Sequence, residues 1–344
     1  MAVPLKKLAD QVIVITGASS GIGLATARMA ARRGAKLVLA ARNEDALRQL
    51  TDEINQGGGQ AVYVAADVGN EDDVRTIAST AVGHFGGFDT WINDAGVGIY
   101  GMLLDVPVAD SRRLFETNFW GVVYGSLEAA RRLRGRQGPF GGAIINIGSE
   151  VSDRASPLLG MYSASKHAVK GFTDVLRMEL EKIGAPISVS LVKPGATDTP
   201  FPQHAKNYME QEPKLPEPVY APEVVAEVIL HCAETPERDM FASGSAKLHS
   251  LEGGLIPRTL DWLMEALYFR KQKSGRPPNR RDDALERPTT GLRERSGTRS
   301  DAKEWSPYTK AEMHPVLATA IVLGTGLAVA AIAGGAATNG KRRS

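Results

Sequence analysis

The sequence predicts an α/β fold built on one doubly wound, mostly parallel sheet that is flanked by helices. Short β-branched apolar runs alternate with longer segments of helical spacing between residues 12 and 241, and parallel strands joined by crossover helices have this pattern. Of the 344 residues, 43% are hydrophobic and 23% are charged. This is a globular composition, and the chain is long enough to build a sizeable core.

Seven apolar runs indicate strands. The first, VIVIT, leads into a helical segment at Ile22–Arg33, and the second leads into another at Glu44–Gln56. A third helical segment, Leu158–Ile183, follows the fifth run. The predicted strands are residues 12–16, 36–41, 61–67, 88–94, 143–149, 187–195 and, more weakly, 239–244. We place them in one domain at residues 1–256.

The character of the chain changes after this domain. Residues 257–272 predict an amphipathic helix, with Leu260, Leu263, Met264 and Leu267 on one side. Residues 273–314 predict a basic, disordered linker, because Lys271–Lys310 carries eleven Lys/Arg against six Asp/Glu with almost no apolar periodicity.

Residues 315–340 carry no charge, and the 22 residues from 316 to 337 consist of Ala, Val, Leu, Ile, Gly and Thr. As a helix they would be about 33 Å long, enough to cross a hydrocarbon core of roughly 30 Å. We predict a single transmembrane helix here, with a buried oligomerisation helix as the alternative. The flanking charges would keep the folded domain in the cytoplasm.

Charge and cysteine content exclude several classes of protein. The formal net charge of +2 argues against a nucleic-acid binder. The single cysteine, Cys232, allows neither an intrachain disulfide nor a zinc cluster, so we expect no metal site. The N-terminus has no apolar run typical of a secretory signal peptide. A cytoplasm-facing catalytic domain follows, either membrane-associated or simply cytoplasmic.

A glycine-rich turn follows the first strand, in the sequence TGASSGIG at Thr16–Gly23. Gly17 allows a tight turn, while Gly21 and Gly23 let the backbone approach a pyrophosphate that the following helix N-terminus attracts. A purely structural turn is the alternative. In this position the motif predicts a Rossmann-type dinucleotide site, whose candidate residues here are Gly17, Ser19, Ser20, Gly21, Ile22 and Gly23.

Position 41, at the end of the second strand, is Ala where an NAD site usually has an acidic residue, and Arg42 follows it. Because Arg pairs bidentately with a 2′-phosphate, NADP(H) is favoured over NAD; a solvated surface Arg is the alternative. Asp67, beside Val68 at the end of the third strand, is a candidate contact to the adenine amino group or a strand-end cap.

Four residues form a candidate catalytic set. Tyr162 and Lys166, four residues apart in a helical segment, lie on one face one turn apart. Ser149 ends the fifth strand at the carboxyl edge of the sheet, and Asn118 lies in an earlier helical stretch. Lys166 with an oxidised nicotinamide can lower the pKa of Tyr162 for proton exchange, and Ser149 can bind the substrate oxygen.

With these motifs in this order, residues 8–245 resemble the classical short-chain dehydrogenases/reductases. The resemblance implies that Tyr162 is the general acid/base, that Lys166 lowers its pKa and binds the nicotinamide ribose, and that Ser149 orients the substrate. It implies that Asn118 holds a water for proton relay, and that Asp67 contacts adenine. It adds cofactor contacts at Asn93, Ala95, Gly96, Pro194, Gly195 and Thr199.

The chain departs from the family at Asp94, where the family usually has Asn, and in its long C-terminal extension. The proline-rich segment Thr199–Tyr220 falls where a substrate lid usually lies.

We therefore expect an NADP(H)-dependent oxidoreductase that acts on an apolar carbonyl or secondary alcohol, as a homo-oligomer. The alternative is a membrane-anchored, non-catalytic dinucleotide-binding module with a regulatory or scaffolding role.

Overall fold

The computed structural model describes residues 3–255, 257–278, 283–289 and 291–314. Seven parallel strands form the main sheet in the order β3-β2-β1-β4-β6-β7-β9, and a two-stranded parallel ladder joins β5 to β8. The strands are β1 (Val12–Thr16), β2 (Lys36–Ala41), β3 (Gln60–Ala65), β4 (Thr90–Asn93), β5 (Ile99–Tyr100), β6 (Gly142–Ile147), β7 (Ile187–Lys193), β8 (Lys206–Asn207) and β9 (Asp239–Phe241). All seven predicted strands are present.

Helices cover both faces of this sheet, as predicted for a doubly wound fold. A π-helical turn at Glu116–Trp120 joins α4 to α5. The helices are α1 (Gly21–Arg32), α2 (Glu44–Gln56), α3 (Glu71–Phe85), α4 (Val108–Phe115), α5 (Gly121–Leu133), α6 (Gly160–Lys182), α7 (Phe201–His204), α8 (Pro222–Glu234), α9 (Gly244–Leu255), α10 (Pro257–Lys271) and α11 (Pro307–Met313).

Alternation along the strands builds two separate cores. Ile13 and Ile15 of β1 point to one face, where they pack with α1, α2 and α8. Val14 points to the other face and packs with α3, α5 and α6. The same alternation in β2 sends Leu37 to the first core and Val38 to the second, because successive strand residues face opposite sides of a sheet.

The order of the strands reverses between β1 and β4. From β1 the chain proceeds outward to β2 and β3, and it then returns to β4 on the other side of β1. The helices on either side of this point lie on opposite faces, which leaves a crevice at the carboxyl ends of the strands. The site therefore lies at this edge of the sheet.

The segment that follows α10 differs from the linker we predicted for 273–314. Its described residues lie against the domain: Leu285 is fully buried, Met313 is 8% exposed, and Lys303 is hydrogen-bonded through its backbone to residues 219 and 221. Its basic side chains also find acidic partners on α8, since Arg295 pairs with Glu223 and Lys310 pairs with Glu227. Buried apolar side chains, backbone hydrogen bonds and these ion pairs together hold a polar, basic segment on the surface of the domain.

The amphipathic helix predicted at 257–272 is present as α10. Met264 is 8% exposed, whereas Leu263 and Leu267 are about 40% exposed. The transmembrane helix predicted at 315–340 lies outside the described residues and stays a prediction. Among the residues that the structure does describe, no helix is both long and apolar enough to span a bilayer.

Candidate active site

A cavity of about 310 Å³ opens at the carboxyl edge of the sheet. The residues after β1, β2, β4, β6 and β7 line it, together with parts of α10 and of the segment beyond α10. Most of the residues predicted from sequence meet here: Gly17, Ser19, Ser20, Gly21, Ile22, Arg42, Asp67, Val68, Ala95, Gly96, Ser149, Tyr162, Lys166, Pro194, Gly195 and Thr199.

The glycine-rich turn is packed too closely for side chains. Gly17 has φ +74°, and a Cβ built there would lie 2.8 Å from the backbone of Ala95. A Cβ on Gly23 would overlap the backbone carbonyl oxygen of Gly17 and would lie 2.7 Å from Oδ2 of Asp94. Real Cβ atoms do not approach this closely, so both positions require glycine. The turn thereby holds the N-terminus of α1 at the cavity, where the positive end of the helix dipole can attract phosphate.

Three predicted residues lie beneath the cavity and do not line it. Gly23 packs α1 on the turn. Asn93 is 3% exposed, and its amide donates to Asn146 Oδ1 at 2.8 Å and to Ser126 Oγ at 3.0 Å. The Asn93 side chain therefore links β4 to β6 and α5 and does not face the cavity.

Asn118, the third of these residues, is fully buried in the π-helical turn. Its Oδ1 accepts from the backbone N–H of Val97 at 2.8 Å, and its Nδ2 donates to the Val97 carbonyl at 2.9 Å and to Ser165 Oγ at 3.2 Å. The side chain positions the backbone that follows Gly96. Turns of this π type often occur at functional sites. A water relay through Asn118 stays a prediction.

Arg42 and Asp67 reach the cavity, but each already has partners. The Arg42 guanidinium donates to the backbone carbonyls of Ala284 and Leu285, the latter at 3.2 Å. Asp67 pairs with Arg113 and accepts from the N–H of Gly69 at 2.9 Å. Two guanidinium nitrogens of Arg42 are thus held by the chain itself, while the five N–H donors of Arg leave further hydrogen-bonding capacity.

Tyr162 and Lys166 lie in the first two turns of α6, with Lys166 Nζ 5.8 Å from the centre of the Tyr162 ring. Lys166 Nζ also donates to the carbonyl of Ile147 at 2.8 Å, at the end of β6. Ser149 follows that strand and hydrogen-bonds Tyr162. The predicted serine, tyrosine and lysine are therefore brought together, with Gly96 beside Lys166.

Burial has the largest effect on the pKa values of Lys166 and Tyr162. It lowers the pKa of Lys166 to about 8, although the Asp94 carboxylate opposes the change. It raises the pKa of Tyr162 above its ordinary value, although the hydrogen bond from Ser149 opposes this. The lowered pKa that we predicted for Tyr162 is therefore not produced by the protein groups alone.

Asp94, the departure from the family pattern, lies against both the turn and the lysine. Burial raises its pKa to about 7, while the charge of Lys166 and a hydrogen bond from the Gly23 N–H oppose the rise. The carboxyl also raises the pKa of Tyr162 through its charge. A carboxyl at this position thus couples the glycine-rich turn electrostatically to the tyrosine and lysine.

The other end of the cavity is mainly apolar, and the sequence predicted only part of its lining. The segment 199–220, predicted as a substrate lid, contributes residues to it, and so does α10. The sequence signals for these were the prolines of that segment and the amphipathic pattern of α10. The lining residues there include Tyr100, Val151, Leu159, Phe201, Leu215, Pro216, Leu263, Met264 and Tyr268, with the polar Arg154 and Gln272.

Comparison with known sequences agrees with this arrangement. The sequence model of the short chain dehydrogenase family matches residues 11–210. An uncharacterized oxidoreductase, YxnA, from Bacillus subtilis is 49% identical over 322 residues, which cover 93% of this chain and 90% of the relative. An 11-beta-hydroxysteroid dehydrogenase A from Sesamum indicum is 32% identical over 274 residues, 76% of each chain.

Solved structures share the fold. A short chain dehydrogenase/reductase from Burkholderia phymatum in complex with NAD superposes with a TM-score of 0.66 at 26% identity, over 76% of this chain and 97% of that one. An alcohol dehydrogenase from Thermococcus sibiricus complexed with 5-hydroxy-NADP gives a TM-score of 0.58 at 27% identity, over 67% and 95% of the two chains.

The substitution Asp94→Asn tests the electrostatic coupling. Removing the carboxylate removes a charge that stabilises the Lys166 ammonium, so the pKa of Lys166 should fall by about one pH unit, which corresponds to about 1.4 kcal/mol. NMR of isotope-labelled lysine, assigned with Lys166→Arg, measures this pKa. Asp72→Asn, at an exposed ion pair with Arg75, is the control and should leave it unchanged. An unchanged Lys166 pKa in Asp94→Asn would contradict the coupling.

Proposed function

The chain belongs to the short-chain dehydrogenase family and is an oxidoreductase of that family, and from this premise we propose that it uses NADP(H) to interconvert an apolar carbonyl compound and its secondary alcohol. The observation that carries the proposal is the convergence of Ser149, Tyr162 and Lys166 beside the glycine-rich turn, in one cavity. The turn fits a dinucleotide because its glycines leave room for phosphate against the N-terminus of α1.

Each residue of the site has a separate role in the proposed reaction. When bound, a dinucleotide would supply or accept the hydride at its nicotinamide ring. Tyr162 holds the proton that the carbonyl oxygen gains during reduction, or takes it from the alcohol during oxidation. Ser149 accepts a hydrogen bond from the N–H of Val151 at 3.3 Å; its one hydroxyl hydrogen, which is directed at Tyr162, would be donated to the substrate oxygen when substrate binds. Lys166, fixed by the Ile147 carbonyl, holds positive charge near Tyr162.

The preference for NADP(H) rests on the end of β2. Ala41 and Arg42 both line the cavity, and no carboxylate stands at position 41 to accept from ribose hydroxyls. The guanidinium of Arg42 is held in place by two carbonyls and has donors left for a 2′-phosphate.

An apolar substrate is supported by the lining at the far end of the cavity. Phe201 packs against Tyr162 with 5.2 Å between ring centres, so apolar surface begins next to the hydroxyl that exchanges the proton. The Sesamum relative is named as a steroid dehydrogenase, which supports a secondary alcohol on an apolar framework as the substrate class for this chain.

We also propose a homo-oligomer, in keeping with the family. A groove between α5 and α6 is bordered by apolar side chains that face solvent: Val175 is 48% exposed, Met178 59% and Ile183 65%. A second copy of the chain would cover this face. A monomeric mass in solution at micromolar concentration would contradict the proposal.

The variant Tyr162→Phe tests the reaction. The full chain should oxidise NADPH in the presence of apolar ketones, and the variant should lower kcat by about 10²- to 10⁴-fold because the proton donor is lost. Its Kd for NADPH should stay within about threefold of the parent, since the ring is retained. Tight NADPH binding with no turnover that depends on Tyr162 would instead favour the non-catalytic dinucleotide-binding module.

The variant Arg42→Ala tests the cofactor preference. Loss of a charge-assisted hydrogen bond to phosphate should lower kcat/KM for NADPH by about 10- to 100-fold, while kcat/KM for NADH changes little. Arg48→Ala is the matched control, because Arg48 lies exposed on α2 and pairs with Asp45. Equal losses with NADPH and NADH in Arg42→Ala would show that Arg42 does not read the 2′-phosphate.

A further inference from the structure

Residues 283–289 and 291–296, which we term the closing segment, lie across the cavity at its dinucleotide end. Ala284, Pro288 and Thr289 line the same cavity as the glycine-rich turn and Arg42. These residues come from the C-terminal extension, beyond residues 11–210 that the family model matches. The extension therefore adds a wall to the dinucleotide site from outside the part of the chain that the family model matches.

On one side of the cavity, residues that follow β1 and β2 donate hydrogen bonds to the closing segment. Arg42 donates to the carbonyls of Ala284 and Leu285. Asn43 Nδ2 donates to the carbonyl of Thr289 at 2.7 Å. The N–H of Gly21, at the start of α1, donates to a carbonyl farther along the segment, that of residue 293, at 2.9 Å.

On the other side the closing segment is bound by the loop after β7. The N–H of Ala284 donates to the carbonyl of His204 at 2.7 Å, and the His204 ring lies 3.3 Å from the hydroxyl of Thr289. Ser296 Oγ donates to Asp198 at 2.5 Å, and its carbonyl accepts from Gln203 at 3.0 Å. The closing segment thus spans the cavity and is hydrogen-bonded to residues on both sides of it.

Leu285 is the apolar anchor of this bridge. It is fully buried and packs with Val97, Ile99 and Leu114 in a cluster that Tyr162 also touches. The other contacts that fix the closing segment are hydrogen bonds, many of them to backbone groups, and partly exposed ion pairs of Glu286 with Arg113, Glu294 with Arg28 and Arg295 with Glu223; Leu292 packs at the edge of the main core. Because exposed ion pairs contribute little and only Leu285 is fully buried, the segment can open without unfolding the domain.

We propose that the closing segment is a lid over the bound dinucleotide, and that it opens for the dinucleotide to enter and leave. This inference rests on the proposed function, since it needs a dinucleotide beneath the segment. The carbonyls of Ala284 and Leu285 hold Arg42 in place while the lid is closed. Because opening precedes release, the stability of the closed lid sets the dissociation rate of the dinucleotide.

The test uses the full chain and measures NADPH dissociation by stopped-flow fluorescence with excess NADP⁺ as competitor. Leu285→Ala removes the anchor and should raise the dissociation rate about tenfold or more. Ser296→Ala removes the hydrogen bond across the cavity to Asp198, along with two local ones to Thr298, and should raise the rate about threefold. Both variants should weaken NADPH binding. Leu104→Ala, at a leucine that is 97% exposed, is the control.

Three results would count against the lid. Unchanged dissociation rates in both variants, in a chain that binds NADPH, would overturn the lid and leave the proposed function intact. Tighter NADPH binding in Leu285→Ala would mean that the segment competes with the dinucleotide instead of covering it. A parent chain that does not bind NADPH would overturn the proposed function, and the lid with it.

Hydrogen exchange gives a readout independent of fluorescence and turnover. Peptides that cover the closing segment should exchange more slowly in the parent chain when NADPH is added, because a closed lid protects the Ala284 N–H. Ser296→Ala should reduce this protection. No change in exchange on NADPH binding would contradict the lid.

Discussion

The site depends on one close backbone contact, between the glycine-rich turn and the residues that follow β4. Gly17 lies so near Ala95 that a Cβ would approach the backbone to 2.8 Å, and this contact brings the start of α1 beside Asp94. Asp94 in turn lies near Lys166, whose ammonium donates to the carbonyl at the end of β6. Ser149 follows that strand and hydrogen-bonds Tyr162, which lies one turn before Lys166 in α6. Larger residues in the turn would separate the phosphate site from the proton-exchange site.

Much of this could be predicted from sequence because it is encoded in local patterns. The seven strands are short runs rich in apolar residues in a chain of alternating elements, and a Tyr/Lys pair four residues apart in a helix has one geometry. The surroundings of two residues of the resemblance could not be predicted. The side chains of Asn93 and Asn118 make buried hydrogen bonds, and whether a buried amide faces a cavity or a neighbouring strand depends on tertiary packing that no local pattern encodes.

The closing segment could not be predicted, for a related physical reason. Many of its contacts use backbone carbonyls at 284, 285, 289 and 293, and any residue type has such a carbonyl. The basic side chains around it gave this part of the chain the composition of a solvated linker, yet Arg295 in the segment and Lys310 beyond it pair with acidic residues of α8 that are distant in sequence. The composition of a segment gives its charge, but it does not show whether residues of opposite charge lie on the folded surface beside it.

The measurement that most directly tests the central claim is transfer of deuterium from NADPH labelled at both C4 positions of the nicotinamide. The full chain would be incubated with the labelled NADPH and apolar ketones, and the alcohols analysed by mass spectrometry. We expect one deuterium on the carbinol carbon, and none above background with Tyr162→Phe. NADPH oxidation that leaves the alcohol unlabelled, or NADPH binding with no alcohol from any ketone, would contradict it.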